Sequence, residues 1–329
     1  MTRLQLNALL AVAGLAAILT GVMAGTAPLG FSETLAGLLG GGSESARLIV
    51  QEIRLPRVLA AFLTGAALGA SGALLQGLLR NPLADPGVLG VSAMAALGAV
   101  IAIWFGLTAI SAFAVPVMAI AFAALAAAIL AGLAASRLSV VQLILAGVGL
   151  SSFAGALSAL AMNLAPTPFT LSDLVNWLLG SVANRSFSDL ALAAPFWITG
   201  AALAALALPG LRALTLGEDT ALSLGANVSR TRLLAIMASA LLTGGAVAVA
   251  GMIGFVGIVA PHLVRPLVRH DPGDLILPSA LTAGALLALA DLAIRLAPFT
   301  QELKLGVAVS LIGAPAFIWI AARTRSIGR

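Results

Sequence analysis

The chain has 329 residues, of which 61% are hydrophobic and 9% are charged, with a mean hydropathy of +1.12. Soluble domains carry about 25% charged residues, so this composition excludes a soluble globular protein and predicts an integral membrane protein. Cysteine is absent, which excludes disulfides and thiolate metal sites. The basic residues behind the net charge of +5 lie at the ends of apolar runs, which argues against nucleic-acid binding and for membrane orientation.

Long stretches without Asp, Glu, Lys or Arg mark the candidate membrane spans, because a spanning helix needs about 20 apolar residues. The stretch 86–136 is too long for one helix, and Gly106 and Pro116 predict two helices with a turn between them. The segment 255–268, cut at Pro261, is either a separate short helix or the tail of the preceding one, which gives ten or nine spans. The long uncharged stretches are 4–32, 58–79, 86–136, 138–172, 190–211, 233–261, 275–290 and 305–322.

Charge placement favours ten spans over nine. Arg3 at one end and Arg323, Arg325 and Arg329 at the other predict that both termini are cytoplasmic, which requires an even number of spans. We therefore expect an all-α polytopic membrane protein with about ten transmembrane helices, forming a single transmembrane domain over residues 1–329. Ten spans place Arg80, Arg137, Arg212, Arg230, Arg232, Arg265 and Arg269 inside, and Arg47, Arg54, Arg57, Arg185, Arg295 and Lys304 outside.

The first apolar run has two interpretations. Arg3 followed by apolar residues and the small residues of Val22–Ala27 is similar to a signal peptide with its cleavage site. Nine further spans downstream favour an uncleaved first helix.

Enzymatic chemistry has little support in this composition. The only lysine, Lys304, lies between two leucines and not in a Gly-Lys-Ser/Thr loop, so the chain has no P-loop for ATP. Asp291 is the one acidic residue near an intramembrane position, close to a helix end, and its spacing from Arg295 predicts an i, i+4 ion pair more than a driving-ion site.

Two other function classes remain open as remote alternatives. Gly69–Gly72 places Ser71 in the G-x-S-G pattern of intramembrane serine proteases, although no partner base is evident. His262 and His270 are the only histidines, and they would be the ligands of a haem-binding electron carrier.

Two arginines frame a proline before the second span, on the predicted outer side. Cations oppose the helix dipole at a helix start, so Arg54 and Arg57 need an explanation. They either anchor the helix at the lipid head groups or bind carboxylates of an external partner, for which the bidentate guanidinium is well suited. Arg295 is predicted to join the same face.

Two polar segments lie on the predicted cytoplasmic side. Arg80–Gly87 contains two prolines and is either a stiff turn or a gate. In the longest polar interruption, Gly217–Arg232, acidic residues predict a short helix that ends at Gly225, with Ala221, Leu222 and Leu224 on one apolar face. Asn227 is predicted to cap a second short helix, and such a pair suits a groove on a partner protein.

Six motifs follow one another over residues 50–322, and in this order they resemble the FecCD family of permeases. These permeases are the membrane subunits of type II ATP-binding-cassette (ABC) importers for iron-siderophores, haem and vitamin B12. Within Glu302–Gly306, Lys304 and Leu305 depart from the family pattern, in which proline and a small apolar residue are commoner, and Lys304 puts a charge near the outer mouth. The motifs are RLPR (54–57), Gly65–Leu68 with Ser71–Ala73 and Gln76, NPLADPG (81–87), GEDTALSLG (217–225), GFVGIVAPH (254–262) and IGAP (312–315).

The resemblance implies a homodimer in the bacterial inner membrane, with two cytoplasmic ATPase subunits and a periplasmic substrate-binding protein. It implies a transport subunit and not an enzyme: the chain binds no cofactor or metal, and ATP and Mg²⁺ are used by the partner ATPase. The expected cargo is an iron chelate, a ferric siderophore or haem, with cobalamin as the alternative.

The resemblance also assigns roles to residues of this sequence, in three groups. Arg54, Arg57 and Arg295 would dock the binding protein. The segment of about 213–232 would form the coupling helices that enter the ATPase, with Glu218, Asp219, Leu222, Gly225, Arg230 and Arg232 as their key residues. Asn81 and Leu83 would form part of the cytoplasmic gate, with a contribution from Ser139.

Overall fold

The computed structural model describes residues 2–136, 139–268, 271–298 and 301–324. The predictions on Arg137, Arg269, His270, Arg325 and Arg329, and on the side chain of Arg323, lie outside the described residues. In the described ranges the chain is helical and contains no β-strand.

The α-helices follow one another through the whole described chain, separated by short loops except where α3 runs through a π-helical turn into α4. In chain order they are α1 (Arg3–Met23), α2 (Phe31–Leu38), α3 (Glu44–Leu48), α4 (Leu55–Leu79), α5 (Val91–Trp104), α6 (Ala114–Ala135), α7 (Val140–Asn163), α8 (Pro168–Leu178), α9 (Phe187–Leu214), α10 (Glu218–Ser223), α11 (Val228–Ala250), α12 (Val256–Val264), α13 (Pro272–Leu296) and α14 (Leu305–Thr324).

The prediction of about ten spans is confirmed. Within the described ranges, seven helices are long and apolar enough to cross a membrane, and three shorter apolar helices correspond to α5, α12 and α14. The backbone leaves the helix at Gly251 (φ +70°) and re-enters it after Phe255 (φ +66°), so α12 is separate from α11. This break decides for ten spans and against nine.

Ion pairs at one end of the bundle support the even number of spans. Arg3 at the start of α1 lies 2.5 Å from Asp274, and Arg212 near the end of α9 lies 2.8 Å from the same residue. Arg212 also contacts Asp271, the N-cap of α13, at 3.3 Å. The starts of α1 and α13 and the end of α9 therefore lie on one side, as ten alternating spans require.

The second span, α4, is the centre of the packing because its glycines let other helices approach closely. A Cβ on Gly72 would lie 1.9 Å from the carbonyl oxygen of Gly257, and one on Gly65 would lie 2.4 Å from that of Ala283. Gly69 faces α13 in the same way. Small residues allow such backbone contacts between helices in lipid, so these glycines make the close packing around α4 possible.

The prediction that a helix begins at Arg54–Arg57 is wrong. Ser43 caps a helix that starts at Glu44 and continues through a π-helical turn, Ile49–Arg54, into α4. A wider turn before Pro56 relieves the clash between a proline ring and the carbonyl one turn earlier. The two arginines therefore lie inside a continuous helix, and the dipole at its start does not act on them.

The predicted turn between the two helices of 86–136 is confirmed, and a second break follows α7. Gly106, with φ +66°, lies in the turn between α5 and α6. The span from 138 ends at Asn163, and Pro168 is the first residue of α8 with Thr167 as its N-cap.

Candidate functional site

Arg54 lies buried against the outer end of α1. Its Nη1 donates to the carbonyl oxygens of Val22 and Met23, at 3.1 Å each, and its Nη2 donates to that of Ala27 at 2.6 Å. The last carbonyls of a helix have no partners within the helix, and a cation at this end also interacts favourably with the dipole. Arg54 therefore acts as a capping side chain for α1.

Arg57 and Arg295 share the carboxylate of Asp291. Arg57 donates from Nε at 3.1 Å and from Nη2 at 2.8 Å, and Arg295 Nε lies 3.1 Å from the other oxygen of Asp291. The predicted i, i+4 pair is thus confirmed and extended by Arg57. Arg295 also donates to the carbonyl oxygen of Gly21 at 3.1 Å, and Arg57 makes a second ion pair with Glu302.

The structure brings the three predicted docking arginines into one cluster at the outer end of the bundle, but it gives them internal partners. Only 12% of the Arg57 side chain and 6% of the Arg295 side chain is exposed. Arg57 alone has a partner that reaches solvent, since Glu302 is 44% exposed. Binding-protein docking by these residues stays a prediction. Sequence reasoning missed Glu302 as a partner of Arg57.

At the opposite end, the turn that follows α4 is held by its own side chains. Arg80 adopts a left-handed conformation (φ +49°), and the Asn81 side chain accepts a hydrogen bond from the Leu83 N–H at 2.9 Å. Asp85 accepts one from the Gly87 N–H at 2.7 Å, and burial raises the pKa of this carboxyl. The segment is a rigid turn, and its predicted role as a gate is not decided by these contacts.

Gln76, a buried residue that sequence reasoning placed only in a motif, connects this turn to the rest of the bundle. Its Nε2 lies 3.4 Å from the carbonyl oxygen of Ala84 and 3.3 Å from that of Gly257, and its Oε1 accepts from Arg265. One amide thus joins the end of α4, the 81–87 turn and α12.

Ser139, the third predicted gate residue, is the N-cap of α7. Its hydroxyl accepts from the Gln142 N–H at 3.3 Å, and Gln142 Oε1 accepts from the Ser139 N–H at 2.8 Å. The same helix meets the 86–90 turn further along, where a Cβ on Gly147 would lie 2.3 Å from the Val88 carbonyl oxygen. At 1.5 Å per residue this contact is about 12 Å from Ser139, so a gating role for Ser139 stays a prediction.

The segment predicted to couple to the ATPases contains one short helix, α10, as predicted. The helix ends with Gly225 at φ +80°, the Gly225 N–H donates to Leu222, and the Ala226 N–H donates to Ala221, each at 2.9 Å. This is a Schellman ending, so the predicted C′ role of Gly225 is confirmed. Glu218 forms a 2.7 Å ion pair with Arg232, which ties the start of α10 to α11.

Two details of that segment were predicted wrongly. Asn227 caps a helix, as expected, but this helix is the long span α11 and not a second short helix. Ala221 is buried against the bundle, whereas Leu222 and Leu224 are 55% and 66% exposed, so the three do not share one apolar face. The reason is that α10 packs onto α9 through its smallest side chain, which leaves the leucines outside. Asp219 and Arg230 are exposed beside them.

The protease interpretation does not fit the surroundings of Ser71. Its hydroxyl is buried, 2.6 Å from the Ser239 hydroxyl and 2.9 Å from that of Thr243, and its hydrogen bonds within the described residues include no base. For the haem alternative, His262 lies in α12, and His270 is outside the described residues. Among the described residues, no group of three metal-binding side chains is present.

Taken together, the ten apolar helices of the described residues, with the short helix α10 at one end, are those of a multi-pass membrane protein. The chain matches the FecCD transport family over residues 10–323. It therefore belongs to the FecCD family and is an ABC transporter permease.

Several relatives support this assignment. The uncharacterized ABC transporter permease protein YvrB of Bacillus subtilis is 45% identical over 85% of this chain and 80% of its own. The vitamin B12 import system permease protein BtuC of Klebsiella pneumoniae is 38% identical over 87% of this chain and 86% of its own. The hemin transport system permease protein HmuU of Yersinia pestis is 35% identical over 83% of this chain and 83% of its own. A solved inward-facing ABC transporter assigned to the metal-chelate type superposes with a TM-score of 0.84 at 30% identity, covering 98% of this chain and 99% of that chain.

Proposed function

We propose that this permease belongs to a bacterial inner-membrane importer that carries an iron chelate, a ferric siderophore or haem, from periplasm to cytoplasm. The match to the FecCD family along residues 10–323 carries the proposal. Similarity to a hemin permease supports the cargo. Cobalamin is the second candidate, because relatives named as vitamin B12 permeases are 38% identical.

The energy would come from two ATPase subunits in the cytoplasm. This chain has no P-loop sequence, and its single lysine, Lys304, precedes α14 on the outer side. ATP and Mg²⁺ would therefore bind to the partner subunits, and this chain would carry no cofactor of its own.

The contact with those ATPases would be α10 and the start of α11. Leu222 and Leu224 project from the bundle as an apolar knob, which is unfavourable in water unless a partner groove covers it. The ion pair between Glu218 and Arg232 fixes the knob to α11. Movement of the ATPases would then be transmitted directly to the transmembrane helix α11, because no flexible loop lies between α10 and α11 to absorb it.

The cytoplasmic gate would be the turn that contains Asn81 and Leu83, with Ser139 at a neighbouring helix start. The turn is internally hydrogen-bonded and is attached to α12 through Gln76, so it would move as a rigid unit. A gate of this kind responds to ATPase binding only if the two gate states bind the ATPases with different affinities.

The outer cluster would dock the periplasmic binding protein. Arg57 is the residue that we expect to contact an acidic side chain of that protein, with Arg295 behind it. Arg54 would support the surface by capping α1. A charge reversal at Arg54 would also remove this cap, so the docking test uses Arg57→Ala, which we expect to weaken binding of the binding protein.

A second copy of the chain would complete the path. An apolar groove of about 600 Å³ runs along α14, lined by Leu179, Met252 and Leu311 among others. Leu311 and Ile312 are 66% and 74% exposed. We propose that two such faces enclose the route for a large chelate in a homodimer.

The decisive experiment is transport in proteoliposomes that contain this permease, its ATPase and its binding protein. Haem, a ferric siderophore and cobalamin are offered in parallel, with an ATPase variant that cannot hydrolyse ATP as the control. ATP-dependent uptake of an iron chelate is expected. If only cobalamin is taken up, the iron-chelate assignment is wrong and cobalamin is the cargo. Uptake by the permease without its ATPase would contradict the proposal. Unchanged uptake by Ser71→Ala is expected, since transport does not use a nucleophile.

A further inference from the structure

The two carboxylates that contact Arg57 have different surroundings. Asp291 is 2% exposed, and it is held from the other side by Arg295 at 3.1 Å. Glu302 is 44% exposed and makes its ion pair within the described residues only with Arg57. Asp291 is therefore a fixed internal counter-ion, whereas Glu302 lies between Arg57 and the periplasm.

We propose that Glu302 occupies the docking edge of Arg57 until a partner's carboxylate replaces it. The inference rests on the proposed function and adds a step to it: the binding protein docks by exchanging its own acidic side chain for Glu302. The partner that fits this surface is a protein lobe with an exposed Asp or Glu, because that group reproduces the contact that Glu302 gives up.

The charges of the cluster favour such an exchange. Three guanidinium groups, those of Arg54, Arg57 and Arg295, are balanced by two carboxylates, and Arg54 is bound to backbone carbonyl oxygens only. With Glu302 in place, the cluster has one positive charge without a carboxylate. When Glu302 leaves, it has two, at a site that is nearly buried. A carboxylate from the partner then restores the balance, whereas a neutral surface does not.

The exchange also limits affinity. When Glu302 competes for Arg57, the apparent affinity for the binding protein equals the intrinsic affinity multiplied by the fraction of molecules in which Arg57 is free. A half-exposed pair is worth about as much as the strongest exposed pairs measured in proteins, so its removal is expected to tighten docking about three- to fivefold. Glu302 thus sets a docking strength that still permits release.

The test measures the affinity of the purified binding protein for the permease–ATPase complex in nanodiscs. Glu302→Ala is expected to tighten binding about three- to fivefold. Glu302→Asp keeps the charge but shortens the side chain, and it is expected to tighten binding nearly as much. Glu52→Ala is the matched control, because Glu52 is an exposed glutamate in the helical turn that leads to Arg57 and makes no ion pair among the described residues; a change below twofold is expected.

The outcomes separate the exchange from docking itself. If Arg57→Ala leaves affinity unchanged, the proposed docking face and the exchange are both wrong. If Arg57→Ala weakens binding but Glu302→Ala does not tighten it, only the exchange is refuted. Equal tightening by Glu302→Ala and Glu52→Ala, with Glu302→Asp unchanged, would show a long-range charge effect and also refute it.

A second measurement needs no binding protein. Arg57 is shielded by Glu302, so its modification by phenylglyoxal, followed by mass spectrometry, is expected to be severalfold faster in Glu302→Ala than in the native chain. Equal rates in a variant with an unchanged thermal unfolding midpoint would overturn the proposal.

Discussion

Replacing Asp291 by Asn tests whether the outer cluster is held by a buried counter-ion. Asparagine keeps the shape of the side chain but removes the charge that faces both Arg57 and Arg295. Loss of one partner from a buried ion pair costs about 3–5 kcal/mol, because the other charge is left without compensation. Arg57 keeps Glu302 and Arg295 keeps a backbone carbonyl, so we expect the lower end, about 3 kcal/mol.

Glu302→Gln is the matched comparison, since it removes a carboxylate from the same guanidinium at a half-exposed position. Such a pair contributes about 1 kcal/mol or less. The assay is the free energy of unfolding in mixed micelles, measured by denaturant titration for both variants. Equal losses, or a larger loss for Glu302→Gln, would refute the assignment of Asp291 as the internal counter-ion.

Three further predictions concern packing, coupling and pH. Gly72→Ala pushes a methyl group into the backbone of α12 and should lower the free energy of unfolding by about 1–3 kcal/mol. In the control, Gly155→Ala, the methyl group meets no neighbouring atom, so the free energy of unfolding should stay unchanged or rise by up to about 1 kcal/mol. Similar values for both variants would contradict the close approach of α4 and α12. Gly225→Pro cannot adopt φ +80° and loses the N–H that closes α10, so uptake per ATP hydrolysed should fall, and an unchanged ratio would contradict the coupling role. Burial raises the pKa of Asp85, so the folded state holds the proton of this carboxyl more tightly than the unfolded state does. The free energy of unfolding should therefore decrease as pH rises through the raised pKa. Asp85→Asn should flatten the pH profile of the unfolding midpoint, and an unchanged slope would contradict the contribution of Asp85.

Properties that depend only on residues close together in the chain could be predicted from the sequence. The lengths of the uncharged runs determined the spans, because crossing a bilayer depends on local hydropathy alone. The helix boundaries at Gly225 and Asn227 followed from caps, in which the capping residue and the helix end lie within a few residues of each other. The ion pair of Asp291 with Arg295 is likewise one helical turn long.

The tertiary structure decided what the polar groups of the spans contact. Arg57 and Asp291 are 234 positions apart, and Gln76 and Arg265 are 189 apart, so no local pattern marks them as partners. The sequence therefore predicted three arginines on one outer face but not that two of them are buried with internal acceptors. Desolvated charges must find such acceptors wherever the packed helices supply them, and only the arrangement of all ten helices determines which ones are within reach.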